Sequence, residues 1–357
     1  MTKPILAAFL SCKGTSLSDE EKFILEQSNP VGVTLFARNI NNINQIKSLV
    51  NNIKETIGRD NVLIAVDQEG GRVRRLIEPD FHPISAAIEI GSLDIEKASA
   101  VANLHAEIVS YDMHKAGLNV NFAPVLDVIH YQTTEALKSR CFSQNVKTIS
   151  ILGKNMIDTY TKNGIIPCIK HMPGHGAAQT DPHMELPIIN LDENELLNQL
   201  EPFRYCNNAP LGMTAHIVLP NFDSNNPITQ SSIGIKKLIR EAIGFKGLLI
   251  SDAIDMKALK GTIVEKVQKS ISAGCDCICY SLGNINDLQL LKDNCPKLSD
   301  VGTERLDKAL KVLHNTNIVK DVSNIFDEYK KIVHNIPHYE ETYDATEVLH
   351  QLQKEDE

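Results

Sequence analysis

Lys170-His171-Met172-Pro173-Gly174-His175-Gly176, followed shortly by Asp181-Pro182-His183, brings three histidines, a lysine and an aspartate into 14 residues. Packing does not explain such a concentration of polar groups. The residue before a proline is pushed toward extended backbone, and proline itself sits at a φ of about −65°. In an extended segment residues i and i+2 lie on roughly the same side. The Asp181 carboxylate can therefore bond one imidazole nitrogen of His183, fix its tautomer and leave the other nitrogen to move protons. The same stretch admits a rival chemistry. His171, His175, Asp181 and His183 offer imidazole and carboxylate donors that suit zinc or iron, as in a metal-dependent hydrolase.

Two further segments carry groups of the same kind. Asp67-Gln68-Glu69-Gly70-Gly71-Arg72-Val73-Arg74-Arg75 follows a run of buried-strand type. Its carboxylates and basic residues, separated by a flexible Gly pair, can accept from and donate to the hydroxyl groups of a ligand. Gly247-Leu248-Leu249-Ile250-Ser251-Asp252 is an apolar strand that delivers an aspartate at its end.

These groups need a frame that brings them together. Short apolar runs at 5–10, 32–36, 62–67, 119–123, 165–170, 212–216, 247–252 and 275–280 read as strands. Helical patterns near 18–27, 43–57, 95–116, 146–163, 193–206, 232–243, 262–273 and 286–293 alternate with them. Ser18-Asp19-Glu20-Glu21 has the form of a capping box. Eight strands each followed by a helix predict an α/β fold, a (β/α)8 barrel of TIM type. A doubly wound sheet is the rival, but no G-x-G-x-x-G follows the first strand and no G-x-x-x-x-G-K-[ST] occurs. The polar residues favour the barrel. Asp67, Lys170, His171, His216 and Asp252 all fall at or just past strand ends, which a barrel gathers at one mouth. The reading is one catalytic domain over 1–298 and a C-terminal helical extension over 299–357. That extension carries amphipathic helices near 303–314 and 320–334 and a charged tail.

Composition limits the partners. The chain has 357 residues, 42% hydrophobic and 23% charged, with a net charge of −9, so nucleic acid bound by phosphate neutralisation is not expected. No Trp occurs and aromatics are 5% of the chain, which argues against a long aromatic platform for sugar chains. No run of 18 apolar residues spans a membrane. The apolar run over 4–10 is at the lower limit for a secretion signal and reads better as the first strand. Eight cysteines without C-x₂-C spacing make neither a zinc knuckle nor a disulfide scaffold. Cys275, Cys277 and Cys279 alternate along the eighth strand and read as small buried hydrophobes, with a metal or redox cluster as the alternative. Reduced thiols in a cytoplasm are the expectation, and a monomer is the default oligomeric state.

Taken together, the segments resemble glycoside hydrolase family 3, specifically its compact single-domain β-N-acetylglucosaminidases. The resemblance runs in order from about residue 14 to 283. It includes Gly32 to Asn39, Val66 to Arg75, Asn121 to Asp127, Arg140-Cys141-Phe142-Ser143, Lys170 to Gly176, Met213 to His216 and Gly247 to Met256. The Lys-His-x-Pro-Gly-His-Gly block with its later Asp-x-His, in order with Ser-Asp, is the most specific part. The resemblance implies Asp252 as nucleophile, His183 as general acid/base and Asp181 as its partner. It further implies that Asp67, Arg75, Arg140, Lys170 and His171 hold the terminal sugar, and that no metal or other cofactor is needed. Two residues depart from the family pattern. Pro182 stands where serine is usual, and Ala253 follows Asp252 where a second aspartate is common.

The expected activity is exo-acting, retaining removal of non-reducing terminal β-linked N-acetylglucosamine. Muropeptides bearing 1,6-anhydro-N-acetylmuramic acid, as met in peptidoglycan recycling, are the expected substrates. Besides the metal-dependent hydrolase, a catalytically inert sugar-binding protein stands as an alternative, because both departures lie beside the expected catalytic groups.

Overall fold

The computed structural model of the chain describes residues 3–315 and 320–339. Eight parallel strands close into a barrel in sequential order. They are β1 (Leu6–Leu10), β2 (Pro30–Leu35), β3 (Leu63–Val66), β4 (Val120–Asn121), β5 (Ile166–Met172), β6 (Leu211–Thr214), β7 (Leu248–Ala253) and β8 (Cys277–Cys279). This is the expected (β/α)8 architecture. The strands are covered on both faces, so they read as apolar runs without alternation, and nearly every strand residue is buried. Phe9 and Phe122 meet edge to face at 5.7 Å.

The helices form where caps and periodicity place them. Ser18 Oγ accepts the Glu21 N–H at 3.1 Å while the Glu21 carboxylate accepts the Ser18 N–H at 2.8 Å, closing the capping box of Asp19–Ser28. In Ile43–Ile57 the buried residues are Ile46, Leu49, Val50, Ile53 and Ile57, one stripe at helical spacing. Asn42 caps its start, and Gly58 ends it at φ 74°. The helix expected over 232–243 is present, yet Ile235–Ala242 winds as a π-helix, with Ile243 N–H bonded five residues back to Leu238 O at 2.8 Å. Two short helices, Ala87–Gly91 and Glu135–Lys138, were not expected, because four or five residues carry no periodic signal.

The strands depart from expectation at three places. β4 keeps two regular residues instead of five. Asn119 and Asn121 use their side-chain amides to bond the backbone of β3 and of Gln68, in place of part of the ladder. Pro124 then supplies no N–H, although Leu126 N–H still reaches Lys170 O at 2.8 Å. β5 runs two residues further than expected, so Lys170 and His171 lie within the strand. β8 covers only Cys277–Cys279, which leaves Cys275 outside it; all eight thiols are free and buried.

After the barrel come the helix Asp300–Leu310, a short turn of 3₁₀ helix at Lys311–His314, and the helix Ser323–Val333. The charged tail past residue 339 lies outside the described residues. Among the described residues no helix is long and apolar enough to cross a membrane.

Candidate active site

The carboxyl ends of the strands open into one pocket of about 280 Å³. Its lining includes all the residues expected to catalyse or to hold the sugar: Asp67, Arg75, Arg140, Lys170, His171, Asp181, His183 and Asp252. The barrel explains the convergence. Asp67 follows β3 directly, Lys170 and His171 lie just before Met172, the last residue of β5, and Asp252 is the penultimate residue of β7.

At the base of the pocket lies a closed ion network. Lys170, 2% exposed, places Nζ 2.7 Å from Asp67 Oδ1 and 2.6 Å from Glu69 Oε1. Arg140 donates through Nε and Nη2 to the two oxygens of Glu69, both at 2.8 Å. Such a two-pronged bond fixes the plane of the guanidinium. Burial alone would make Glu69 a weaker acid. Arg140 and Lys170 outweigh it and hold the carboxyl well below the usual range. Burial likewise works against the charge of Lys170, and Asp67 and Glu69 reverse the effect and hold its pKa up.

His171 is fixed from behind. Its Nδ1 lies 2.7 Å from Asp127 Oδ2, and Asp127 Oδ1 accepts the His175 N–H at 2.6 Å. Because a carboxylate only accepts, His171 Nδ1 carries the proton, and Nε2 faces Arg140 Nη2 at 3.4 Å. Gly176 leaves no room for a side chain, since a Cβ there would stand 1.8 Å from Val128 O.

Asp181 and His183 pair as their spacing suggests. Asp181 Oδ1 accepts both the His183 N–H at 3.0 Å and the ring Nδ1–H at 2.6 Å. Burial opposes ionisation of Asp181, but the hydrogen bond and charge of His183 prevail, and its pKa falls to about 2. Pro182 O accepts the N–H of Ala258, which ties this loop to the one following β7.

Asp252 Oδ1 accepts the Ala253 N–H at 2.7 Å. Burial would raise its pKa, yet the histidines 171 and 216, the Ala253 N–H and His183 together hold it below the ordinary value. His216, wholly buried, donates Nε2–H to Ala253 O at 3.0 Å and sits 2.7 Å from Thr229 Oγ1 through Nδ1. With a second aspartate absent at 253, the Ala253 methyl lines the pocket.

The metal alternative is not supported by this geometry. Among the described residues no three His, Cys, Asp or Glu side chains come together as an ion's ligands. The Nδ1 atoms of His171 and His183 bond Asp127 and Asp181, which leaves each ring Nε2 for another partner.

Glu69 and Asp127 belong to the site but were not named as site residues from the sequence, whereas His175 was named only as a metal ligand and His216 only as a strand-end polar group. Asp127 had a readable signal, an acid closing an apolar run as Asp252 does. Glu69 shares the Asp67 motif, and nothing in its spacing says that it, rather than Asp67, takes both cations.

Buried imidazoles make stability depend on pH. His105 and His175 are held down to about 4, in both cases chiefly by burial. Each stays neutral in the folded chain while the unfolded chain takes a proton near the ordinary imidazole value of 6.5. Between these values the unfolded state binds more protons, so stability is complete above the upper one and declines as pH falls. At pH 5 the expected loss is about 2 kcal/mol for each histidine. Urea midpoints at pH 7.5 and pH 5.0 measure it, and equal midpoints would refute it.

A parallel barrel whose mouth pairs a strand-end carboxylate with a carboxylate-held imidazole, over a hydrogen-bonding base, is that of a hydrolytic (β/α)8 enzyme. The comparisons with known proteins define it further. The family model "Glycosyl hydrolase family 3 N terminal domain" matches residues 7–315. The chain belongs to glycosyl hydrolase family 3 and is a glycoside hydrolase. It is 35% identical over 272 residues to a β-hexosaminidase of Neisseria gonorrhoeae (strain NCCP11945), covering 73% of this chain and 74% of that one. The crystal structure of NagZ from Neisseria gonorrhoeae in complex with N-trifluoroacetyl-D-glucosamine superposes with a TM-score of 0.82 at 27% identity, over 92% of this chain and 98% of that one. NagZ of the same organism in complex with zinc ion gives 0.79, again at 27% identity, over 93% and 97% of the two chains.

Proposed function

We propose that the chain is a retaining exo-β-N-acetylglucosaminidase, with Asp252 as nucleophile and His183, held by Asp181, as general acid/base. The observation that carries this reading is the Asp181–His183 pair facing the same pocket as Asp252. The relatives named β-hexosaminidase, and the N-acylated glucosamine in the similar structure, support the choice of sugar.

In the first step a carboxylate oxygen of Asp252 attacks the anomeric carbon, and the bond to the aglycone oxygen breaks. His183 enters as imidazolium, stabilised through Nδ1 by Asp181, and gives its Nε2 proton to the departing oxygen. The ring is then neutral with its proton on Nδ1. In the second step Nε2 takes a proton from water, the resulting oxygen attacks the same carbon from the aglycone side, and the bond to Asp252 breaks. Two displacements at one centre retain the β configuration. Asp67, Arg75, Arg140, Lys170 and His171 orient the sugar's hydroxyl and acetamido groups, with Glu69 fixing the two cations.

The substrates we propose are muropeptides ending in 1,6-anhydro-N-acetylmuramic acid, handled in the cytoplasm during peptidoglycan recycling. The enzyme acts as a monomer on this small saccharide, without a nucleic-acid or membrane partner and without a cofactor. Reduced, buried thiols suit that compartment. An aryl β-N-acetylglucosaminide, assayed before and after overnight chelation, tests the reading. Equal hydrolysis in both is expected. Loss restored by zinc would replace it with the metal-dependent hydrolase, and sugar binding without turnover with the inert sugar-binding protein.

A further inference from the structure

The helix Ser323–Val333 lies outside the barrel, yet it reaches the loop that carries Asp67, Glu69, Arg72 and Arg75. Tyr329, 2% exposed, accepts the Ser85 N–H through its hydroxyl at 2.7 Å. One turn earlier, Phe326 packs its ring 4.7 Å from His82, whose N–H and Nδ1 are both held by Asp112. Residues 82–85 are thus anchored from beneath at two points.

That anchored strip is the backing of the sugar loop. Gly71 N–H bonds Ile84 O at 3.0 Å, and a Cβ on Gly70 would stand 2.1 Å from Ser85 O. The same Cβ would meet the His105 ring at 2.9 Å, and His105 in turn lies edge-on to Tyr329. Gly70 at φ 114° leads straight from Glu69, and the turn closes with Glu69 N–H on Val73 O at 2.9 Å. A displacement of Ser85 therefore passes through Gly70 and Gly71 to Glu69 on one side and to Arg75 on the other. The packing at both glycines leaves no slack to absorb it.

We propose that Tyr329 is a positioning residue for the sugar pocket: by accepting the Ser85 N–H it sets the loop of Glu69 and Arg75, so the C-terminal helix is a working part of substrate binding. This rests on reading the pocket as the terminal-sugar subsite. The residue touches no substrate. Its effect belongs to binding, because the loop bears none of the groups that make or break bonds.

Tyr329→Phe in the full chain tests the proposal, since it keeps the ring and removes the acceptor. An orphaned N–H at Ser85 is worth about a tenfold change in an equilibrium. The expected result is a KM for an aryl β-N-acetylglucosaminide raised about tenfold, with kcat within about twofold. In an Arg75→Ala background, where that contact is already gone, the same substitution should raise KM by less than about threefold. A folded Tyr329→Phe variant with unchanged KM overturns the proposal, as does an equal tenfold rise in both backgrounds. Amide hydrogen exchange reads the clamp without any sugar. Faster exchange over residues 69–76 in the variant supports it, and a change confined to 323–333 overturns it. An inactive wild type would remove the sugar reading alone, because exchange still reports on the clamp. Should Tyr329→Phe fail to fold, Phe326→Leu keeps the hydroxyl bond while altering the His82 contact, with a KM rise expected and an unchanged KM overturning the proposal.

Discussion

Asp252→Asn yields a folded enzyme whose kcat for aryl β-N-acetylglucosaminides is lower by about 10⁴-fold or more. The amide keeps the size of the carboxylate and can still accept the Ala253 N–H that holds it. What it loses is the negative charge and the nucleophilic oxygen. The surroundings of Asp252 are arranged for that charge, with the histidines 171 and 216, the Ala253 N–H and His183 together overcoming the penalty of burial. The residues proposed to hold the sugar lie in the loop after β3, on β5 and at Arg140, so KM should change far less than kcat. A 2-deoxy-2-fluoro glycosyl donor that traps the intermediate should label Asp252 in the wild type and leave the variant unlabelled. Label on another carboxylate, or a variant retaining a tenth of its activity, would remove the nucleophile assignment.

The second large effect is at His183. His183→Gln should lower kcat on substrates with poor leaving groups by about 10²- to 10⁴-fold, the range of general acid–base catalysis. The leaving group then separates the two roles of the ring. With a dinitrophenyl aglycone the first step needs no acid, whereas the second still needs a base. The glycosyl-enzyme should accumulate, seen as a burst of phenolate and a fall in KM. Azide, which attacks without giving up a proton, should restore turnover and yield a β-glycosyl azide. Asp181→Asn should show a weaker form of the same pattern, because the ring keeps its Nε2 but loses the carboxylate held at 2.6 Å from Nδ1. Equal losses on good and poor leaving groups, with no burst and no azide product, would remove His183 from this role.

Much of the frame was legible in the sequence because the signals were local. The Ser18 cap, the stripe on 43–57 and the apolar β5 and β7 runs depend on neighbours in the chain, and the structure has them within a few residues. Legibility failed where side chains replaced backbone partners. At β4 the amides of Asn119 and Asn121 take over ladder bonds, which no periodicity reveals. The pairing of Asp181 with His183 could be anticipated from two residues' separation. The pairing of Asp127 with His171 spans 44 positions and appears only once β4 and β5 lie side by side. Glu69 is of the same kind, since one of its cations comes from β5 and the other from the connection before it.

The ion network at the pocket base has one more consequence. Asp67 and Glu69 carry two negative charges, Lys170 and Arg140 two positive ones, and the four are in contact before any sugar arrives. Their far field therefore cancels, while each retains strong local dipoles at hydrogen-bonding range. The uncharged sugar proposed for this pocket can exchange water for these groups without disturbing a counter-ion atmosphere, so its binding should be largely indifferent to ionic strength. On that reading, discrimination at this base would come from where the lone pairs and N–H bonds point rather than from net charge.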